Sequence, residues 1–469
     1  VCSSDLPVLG SVRVGDYPNY FFPSMRQKHK QLGVEEYGKL GFSTLLIHST
    51  DGCKHNTGKK EVPIITANEQ VFSLEVQQKG ISTANSCQLF TYLQVQSEEK
   101  RDVVIRMFKE HFESKNKFLE NAEQYFGEKC KVYSYECHDM KFLHILYGNV
   151  GWNSDNGGFL LCGCNRKEGK HQCKIIDDDT HKKLYKKARS YFQRLLTSGR
   201  PEHEAIKLTN QWAAMNNCGV NGLGIDPKLL PLSRVRFDVM HLSMNVTRRL
   251  LSHLEQMVSR DYNIAGYRLE TKMLEFLSFD QLYMWKEGHG ASKFEGNDLK
   301  KFTYNFVNLS DWFREKSIID VSGSNEWDSF LQALSIWPSI NRFLIEQRAD
   351  SDYEDRINEF EKEVELFYEC GRNLFLVGKS GDEMARETTY IHILRYQIAE
   401  HARETYKRHG LAIGIFSLES TERRNCESKY AFVNHNNGKG NFCLQTLKRN
   451  TRKFDVLTPK PPAKKQKKK

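Results

Sequence analysis

Three short runs in the first hundred residues mix apolar and β-branched side chains with polar ones: FSTLLIHS (42–49), EQVFSLEVQQ (69–78) and QLFTYLQVQ (88–96). Turn-rich or polar stretches separate them, which predicts three strands. In EKRDVVIRMFKEHFESKNKFLENAEQYF (99–126) the apolar residues recur at helical spacing. KCKVYSYEC (129–137) reads as a fourth strand and runs straight into a helical pattern, HDMKFLHILYGNVGW (138–152). Beyond 150 the strand pattern largely stops. Residues 180 to about 410 read as helices, with breaks at CGVNGLGIDPKLLP (218–231) and KEGHGASKFEGN (286–297). DSDYEDRINEFEKEVELFYECGRNLF (350–375) is a long acidic amphipathic helix whose charges suit a solvated face.

Three strands, a helix, a strand and a helix is the order of an RNase H-like core: an antiparallel meander, then a crossover to a parallel strand. In that fold the first and fourth strands are neighbours. Acidic residues at their C-terminal ends therefore meet. Here those residues are Asp51, in STDGCKHN, and Asp139. Either aspartate alone is usually a turn residue or a helix cap. Both falling at the required place in the order is what makes them candidate metal ligands.

The segment GLAIGIFSLESTERRNCESK (410–429) adds acidic side chains. Glu419 and Glu422, three apart, share one face of a predicted helix, and Arg423 and Arg424 follow. Phosphoryl transfer by two metal ions about 4 Å apart needs carboxylates that bridge and flank them. Asp51, Asp139 and one of these glutamates would form that cage, with Mg²⁺ or Mn²⁺ as the ion. A second cluster, Cys162, Cys164, His171 and Cys173, lies in FLLCGCNRKEGKHQCKIIDDD (159–179) and suits thiolate-rich zinc. The predicted helix TTYIHILRYQIAEHARETYKRH (388–409) adds His392 and His401, so a Zn²⁺ ion would tie loop and helix together.

Composition narrows the classes. The twelve cysteines follow no disulfide-framework spacing, and with no secretory signal apparent, reduced thiols and metal ligation are expected. No run approaches the ~20 apolar residues of a membrane helix. The net charge is +10, yet residues 446–469 hold ten Lys or Arg and one Asp, so the body is close to neutral. A nucleic-acid surface on the body must therefore be a local patch. The basic tail PKPPAKKQKKK predicts disorder and a nuclear address.

Four stretches together resemble the catalytic core of the V(D)J recombinase, the recombination-activating protein, and its Transib-like transposase relatives. STDGCKHN resembles the family's first-Asp strand end, and YECHDMKFLHILYG its second-Asp segment. FLLCGCNRK resembles its first pair of zinc cysteines, and YIHILRYQIAE with GIFSLESTERRN its zinc-histidine helix and catalytic Glu. The order holds from about 40 to 450. The resemblance implies catalytic Asp51, Asp139 and Glu422, the second glutamate being the family's metal ligand, and zinc at Cys162, Cys164 and His392. The cysteines are one residue closer than in the family. Gln397 falls where its second zinc histidine stands, with His401 one turn further on as the substitute. Nothing resembles the family's separate DNA-binding module, which a longer N-terminus would carry. Asp238 and His241, in FDVMHLSMNVTRRLL, match an Asp-x-x-His motif of a structural helix.

The expected architecture is thus α/β: an RNase H-like core with a large, mostly α-helical insertion and a zinc-binding helical region. The expected segments are a lead-in (1–40), the first part of the core (41–158), the zinc-binding and helical insertion (159–409), a C-terminal helix completing the core (410–450) and a basic tail (451–469). The expected activity is DDE-type transposition or recombination by phosphodiester hydrolysis and transesterification. Its expected partners are DNA (transposon ends and target), a second copy of the chain and an accessory protein. The alternative is a domesticated, catalytically silent DNA- or chromatin-binding protein of the same fold.

Overall fold

The computed structural model describes residues 43–56, 61–74, 88–95, 100–121, 131–150, 160–163, 176–262, 296–315, 325–377, 386–423 and 430. The predicted lead-in, the basic tail, Cys164, His171, Cys173 and Arg424 lie outside them. The chain divides into two compact units. One comprises 1–165, 172–237 and 418–469, and the other 166–171 and 238–417.

The first unit is built on a five-stranded mixed sheet. Its strands are β1 (Ser43–Asn56), β2 (Glu61–Ser73), β3 (Gln88–Val95), β4 (Lys131–His138) and β5 (Val235–Phe237), in the order β3-β2-β1-β4-β5. β1–β2 and β2–β3 are antiparallel, while β4 runs parallel to both β1 and β5. This mixed α/β topology is compatible with an RNase H-like core. β1 is central, so Leu45, Ile47, His48 and Ser49 are all buried although they alternate between faces. Helix α1 (Arg101–Glu120) crosses from β3 to β4. Its buried stripe Val104, Phe108, Phe112 recurs every four residues, and Phe108 and Phe112 lie 5.6 and 5.7 Å from the His48 ring. Helix α1 therefore covers the His48 face of the sheet.

After β4 comes the short helix α2 (Met140–Leu146), and then α3 (Asp178–Thr197) and α4 (Glu202–Asn216), which pair before β5. The chain leaving α2 meets the chain entering β5 at two glycines. A Cβ on Gly224 would stand 2.3 Å from Gly148 N, and Gly148 itself has φ +66°. Bare backbone is required on both sides there. Flanking bonds, Ile225 N–H to Leu146 C=O at 2.8 Å and Asn221 N–H to Gly148 C=O at 2.6 Å, tie the two segments.

The second unit is helical: α5 (Val239–Tyr262), α6 (Gly296–Glu315), α7 (Asn325–Ile345), α8 (Tyr353–Cys370), α9 (Thr389–Tyr396) and α10 (Ile398–His409). Trp337 is fully buried, stacks on Phe367 at 5.3 Å and donates its indole N–H to Thr247 Oγ1 at 2.8 Å. The expected acidic helix is α8. Its carboxylates take Arg395 through Glu365 and Arg403 through Glu361.

Several expected boundaries move. β1 does not stop at Asp51-Gly52 but continues to Asn56, because β2 pairs with it along its length, Asp51 opposite Thr66 and Gly52 opposite Ile65. The helix expected over 138–152 closes at Leu146, where Tyr147 caps it and Gly148 takes a left-handed conformation. β5 is a fifth strand inside a stretch that reads as helical. The helix expected over 388–409 is two helices, broken at Gln397 (φ −125°, ψ −32°). Of the expected insertion, residues 159–165 and 172–237 belong to the sheet-bearing unit.

Candidate active site and a buried charge cluster

β1 and β4 run parallel with His48 beside Glu136, the last pair of their ladder. Asp51 and Asp139 are separated by the same 88 residues as that pair, so each stands three residues further along its own strand direction. Strand alternation assigns position 51 to the face of Ser49. Asp139 is the first residue past β4, and its half-buried carboxylate caps α2, Oδ1 accepting from Phe142 N–H at 2.6 Å. One oxygen of Asp139 therefore has a structural duty.

Glu422 arrives from the far end of the chain on helical residues 419–423. Thr421, beside it, is buried and hydrogen-bonds Ser49 Oγ at 2.9 Å and Gln70 Nε2 at 3.0 Å. Gln70 pairs with Ile47, on the same face as Ser49. The helix start carrying Glu422 is thus docked on the sheet face of Ser49 and Gln70, to which strand alternation assigns position 51. Glu422 is half-buried, whereas Glu419 and Arg423 are exposed.

The opposite face holds charge that sequence reasoning missed. Glu136 on β4 is fully buried, with His48 Nδ1 2.5 Å and His138 Nε2 3.1 Å from its Oε2. Lys115 of α1 donates to Glu136 Oε1 at 3.3 Å and Glu69 Oε1 at 3.0 Å, every partner being inaccessible to solvent. Burial alone would raise the Glu136 carboxyl, but the positive charge of Lys115 and the two imidazoles hold it well below the usual range. Burial drives the His48 imidazole down to about 4, outweighing the attraction of Glu136. His111 is pushed down chiefly by burial too. Among the described residues, His48, Glu136 and His138 are the one group of three whose ligand atoms converge, all within 4.8 Å of one another. Their chemistry suits a divalent cation, with Lys115 already supplying a competing positive charge. The signal lay in phase: His48 sits within the run LLIHST, Glu136 and His138 alternate along YSYECH, and Lys115 follows the apolar stripe of α1.

Of the zinc candidates, Cys162 is buried in the first unit, next to Leu161 at φ 63°. His392 and His401 are buried in the second, on α9 and α10 respectively. The break at Gln397 means that they do not share one continuous helical face. Asp238 accepts from Met240 N–H at 3.0 Å and is bonded to His241 Nδ1, the arrangement of a structural helix start. Among the described residues no helix is long and apolar enough to cross a membrane.

No protein-family model matches the chain, and no curated protein matches its sequence. Among solved structures the chain is similar to the Drosophila P element transposase strand transfer complex. The identity is 9%, the alignment covers 88% of this chain and 77% of that one, and the TM-score is 0.36. At that score the likeness carries no weight for activity.

Proposed function

We propose that the chain is a metal-dependent DNA transposase or recombinase of the DDE type, resembling the V(D)J recombinase core and Transib-like transposases. What supports this reading is the pairing of β1 with β4, with Asp51 and Asp139 each three residues past their last pair, and the docking of the turn that carries Glu422 on Ser49 and Gln70 through Thr421. Asp51, Asp139 and Glu422 would hold Mg²⁺ or Mn²⁺, and these hard oxygen donors fit such ions. When bound, the ions would activate the attacking oxygen and stabilise charge on the scissile phosphate. The Asp139 carboxylate is held by its cap to Phe142 N–H, and Glu422 follows the anchored Thr421. Cys162, Cys164, His392 and His401 are proposed as Zn²⁺ ligands, their sulfur and nitrogen donors fitting a structural site. DNA, a second copy of the chain, an accessory protein and a nuclear location belong to the same proposal.

The test is Mg²⁺- or Mn²⁺-dependent nicking of duplex DNA. Glu422→Gln should lower the rate by on the order of a thousandfold, and Glu419→Gln far less. Nicking that survives Glu422→Gln at the wild-type rate would reject the reading.

A further inference from the structure

Helix α3 presents a face dense in positive charge. Its sequence, DDTHKKLYKKARSYFQRLLT, splits cleanly. His181, Ala188 and Phe192 are buried on one side. Lys182, Lys183, Lys186, Lys187, Arg189 and Arg194 occupy the other, and all but Lys182 are exposed. The only acidic residues of the helix, Asp178 and Asp179, stand in its first turn, where the helix dipole favours them. Of the six cations, Lys182 pairs with Asp179 at 3.1 Å. Lys183 lies within the field of the cap residue Asp177, and among the described residues Lys186 and Lys187 form no ion pair. Elsewhere in the described residues some charges are paired directly. The acidic helix α8 is met by Arg395 and Arg403 at 14% and 21% side-chain exposure, and Lys115 is buried between two glutamates.

The face is also held rigidly. Asp177 caps α3 by accepting from Thr180 N–H at 2.7 Å. Asp178 accepts from Ser233 N–H at 3.1 Å, just before β5. The His181 ring lies 5.9 Å from Tyr147, at the end of the short helix that Asp139 caps. Tyr191 stacks on Trp212 of α4 at 4.8 Å, the rings nearly parallel, and so fixes the other end. A solvated, disposable lysine run needs no such anchoring.

We propose that this face of α3 is a phosphate-backbone contact for duplex DNA. The choice of DNA as the partner rests on the function proposed above. From Lys182 to Arg194 the helix rises ~18 Å at 1.5 Å per residue. That length matches about five base pairs of duplex along its axis at ~3.4 Å each. Lysine and arginine ammonium and guanidinium groups spaced along it would pair with phosphate oxygens without reading bases, which positions the duplex and does not select its sequence.

The experiment is fluorescence-anisotropy titration of a labelled duplex with the full-length protein over a range of salt concentrations. The protein is compared with Lys183→Gln/Lys186→Gln/Lys187→Gln/Arg194→Gln and with the charge-keeping Lys183→Arg/Lys186→Arg/Lys187→Arg. Glutamine and lysine have similar helix propensity, so equal circular dichroism and melting temperature are expected. Each lost phosphate contact should reduce the slope of log K against log salt by ~0.9, so the glutamine variant should lose about two to four. The arginine variant should keep the slope. The basic tail contributes equally to all three proteins. A glutamine variant with the wild-type slope overturns the proposal, as does a wild type that binds anionic vesicles through this face but not duplex DNA. A loss of slope together with absent nicking would instead reject the catalytic reading and leave this surface standing.

Discussion

Ser49 Oγ and Thr421 Oγ1 are 2.9 Å apart although 372 residues separate them in sequence. With Gln70 as a second partner, this buried pair fixes the start of the helix that carries Glu422. Thr421→Val keeps the shape and removes the hydroxyl, leaving Ser49 and Gln70 without their partner. A loss of about 1–3 kcal/mol in denaturant unfolding is expected. Nicking should fall further than the fraction of folded protein does, while Thr421→Ser should retain both.

Asp139 caps α2 and is proposed as a metal ligand, and two substitutions separate these roles. Asn keeps the acceptor for Phe142 N–H but not the charge, and Ala removes both. Asp139→Asn should unfold like the wild type in EDTA yet fail to nick. Asp139→Ala should fail to nick and also lose roughly 1 kcal/mol from the uncapped α2. Equal stability of the two variants would show that the cap contributes nothing.

Lys115 stands between Glu69 and Glu136 with no access to water. Lys115→Met fills similar space but strands negative charge in the core. A cost of about 3–5 kcal/mol is expected, measured by urea unfolding. A near-neutral result would mean that the carboxylates take up protons instead.

Stability should decline on mild acidification. The imidazoles of His48 and His181 are pushed down to about 4 by burial, from an ordinary 6.5. Between those values the unfolded chain binds protons that the folded one refuses, so stability rises with pH across the window. It is complete above about 6.5 and lost as pH falls towards 4. Each shift corresponds to at most on the order of 3 kcal/mol. Unfolding free energies at pH 7.5 and 5.0 check this, and His181→Gln should shrink the difference between them.

Zinc content separates the fourth-ligand candidates. Purified protein should carry about one tightly held zinc per chain. Cys162→Ser should release it, and comparison of Gln397→Ala, His401→Ala and Cys173→Ser should single out the ligand by elemental analysis. Folded, active protein without zinc would remove the site from the proposal.

The strands, α1 and the neighbourhood of Asp139 are legible in the sequence because periodicity reports burial directly. β5 is not, because three residues carry no period and owe their strand state to β4 alongside. The continuation of β1 through Asp51-Gly52 is hidden for a related reason: Asp-Gly prefers turns locally, and pairing with β2 overrides that preference. The cluster around Glu136 escapes because a polar residue at a core phase looks like a break in the pattern until its partners are known. Glu422 is visible as chemistry, but its anchor is not, since Thr421 gives no sign of seeking a serine at position 49.

The meeting of Gly148 and Gly224 has a bearing on any mutational survey of this chain. Neither residue can touch a substrate through a side chain, yet a single added methyl at either one would push apart the segments that leave α2 and enter β5. Because α2 begins at Asp139, the disturbance would travel to a carboxylate it never contacts. A screen scored by activity alone would rank these two glycines beside the acidic residues. Only a parallel measure of folded protein would tell the hinge pin from the blade.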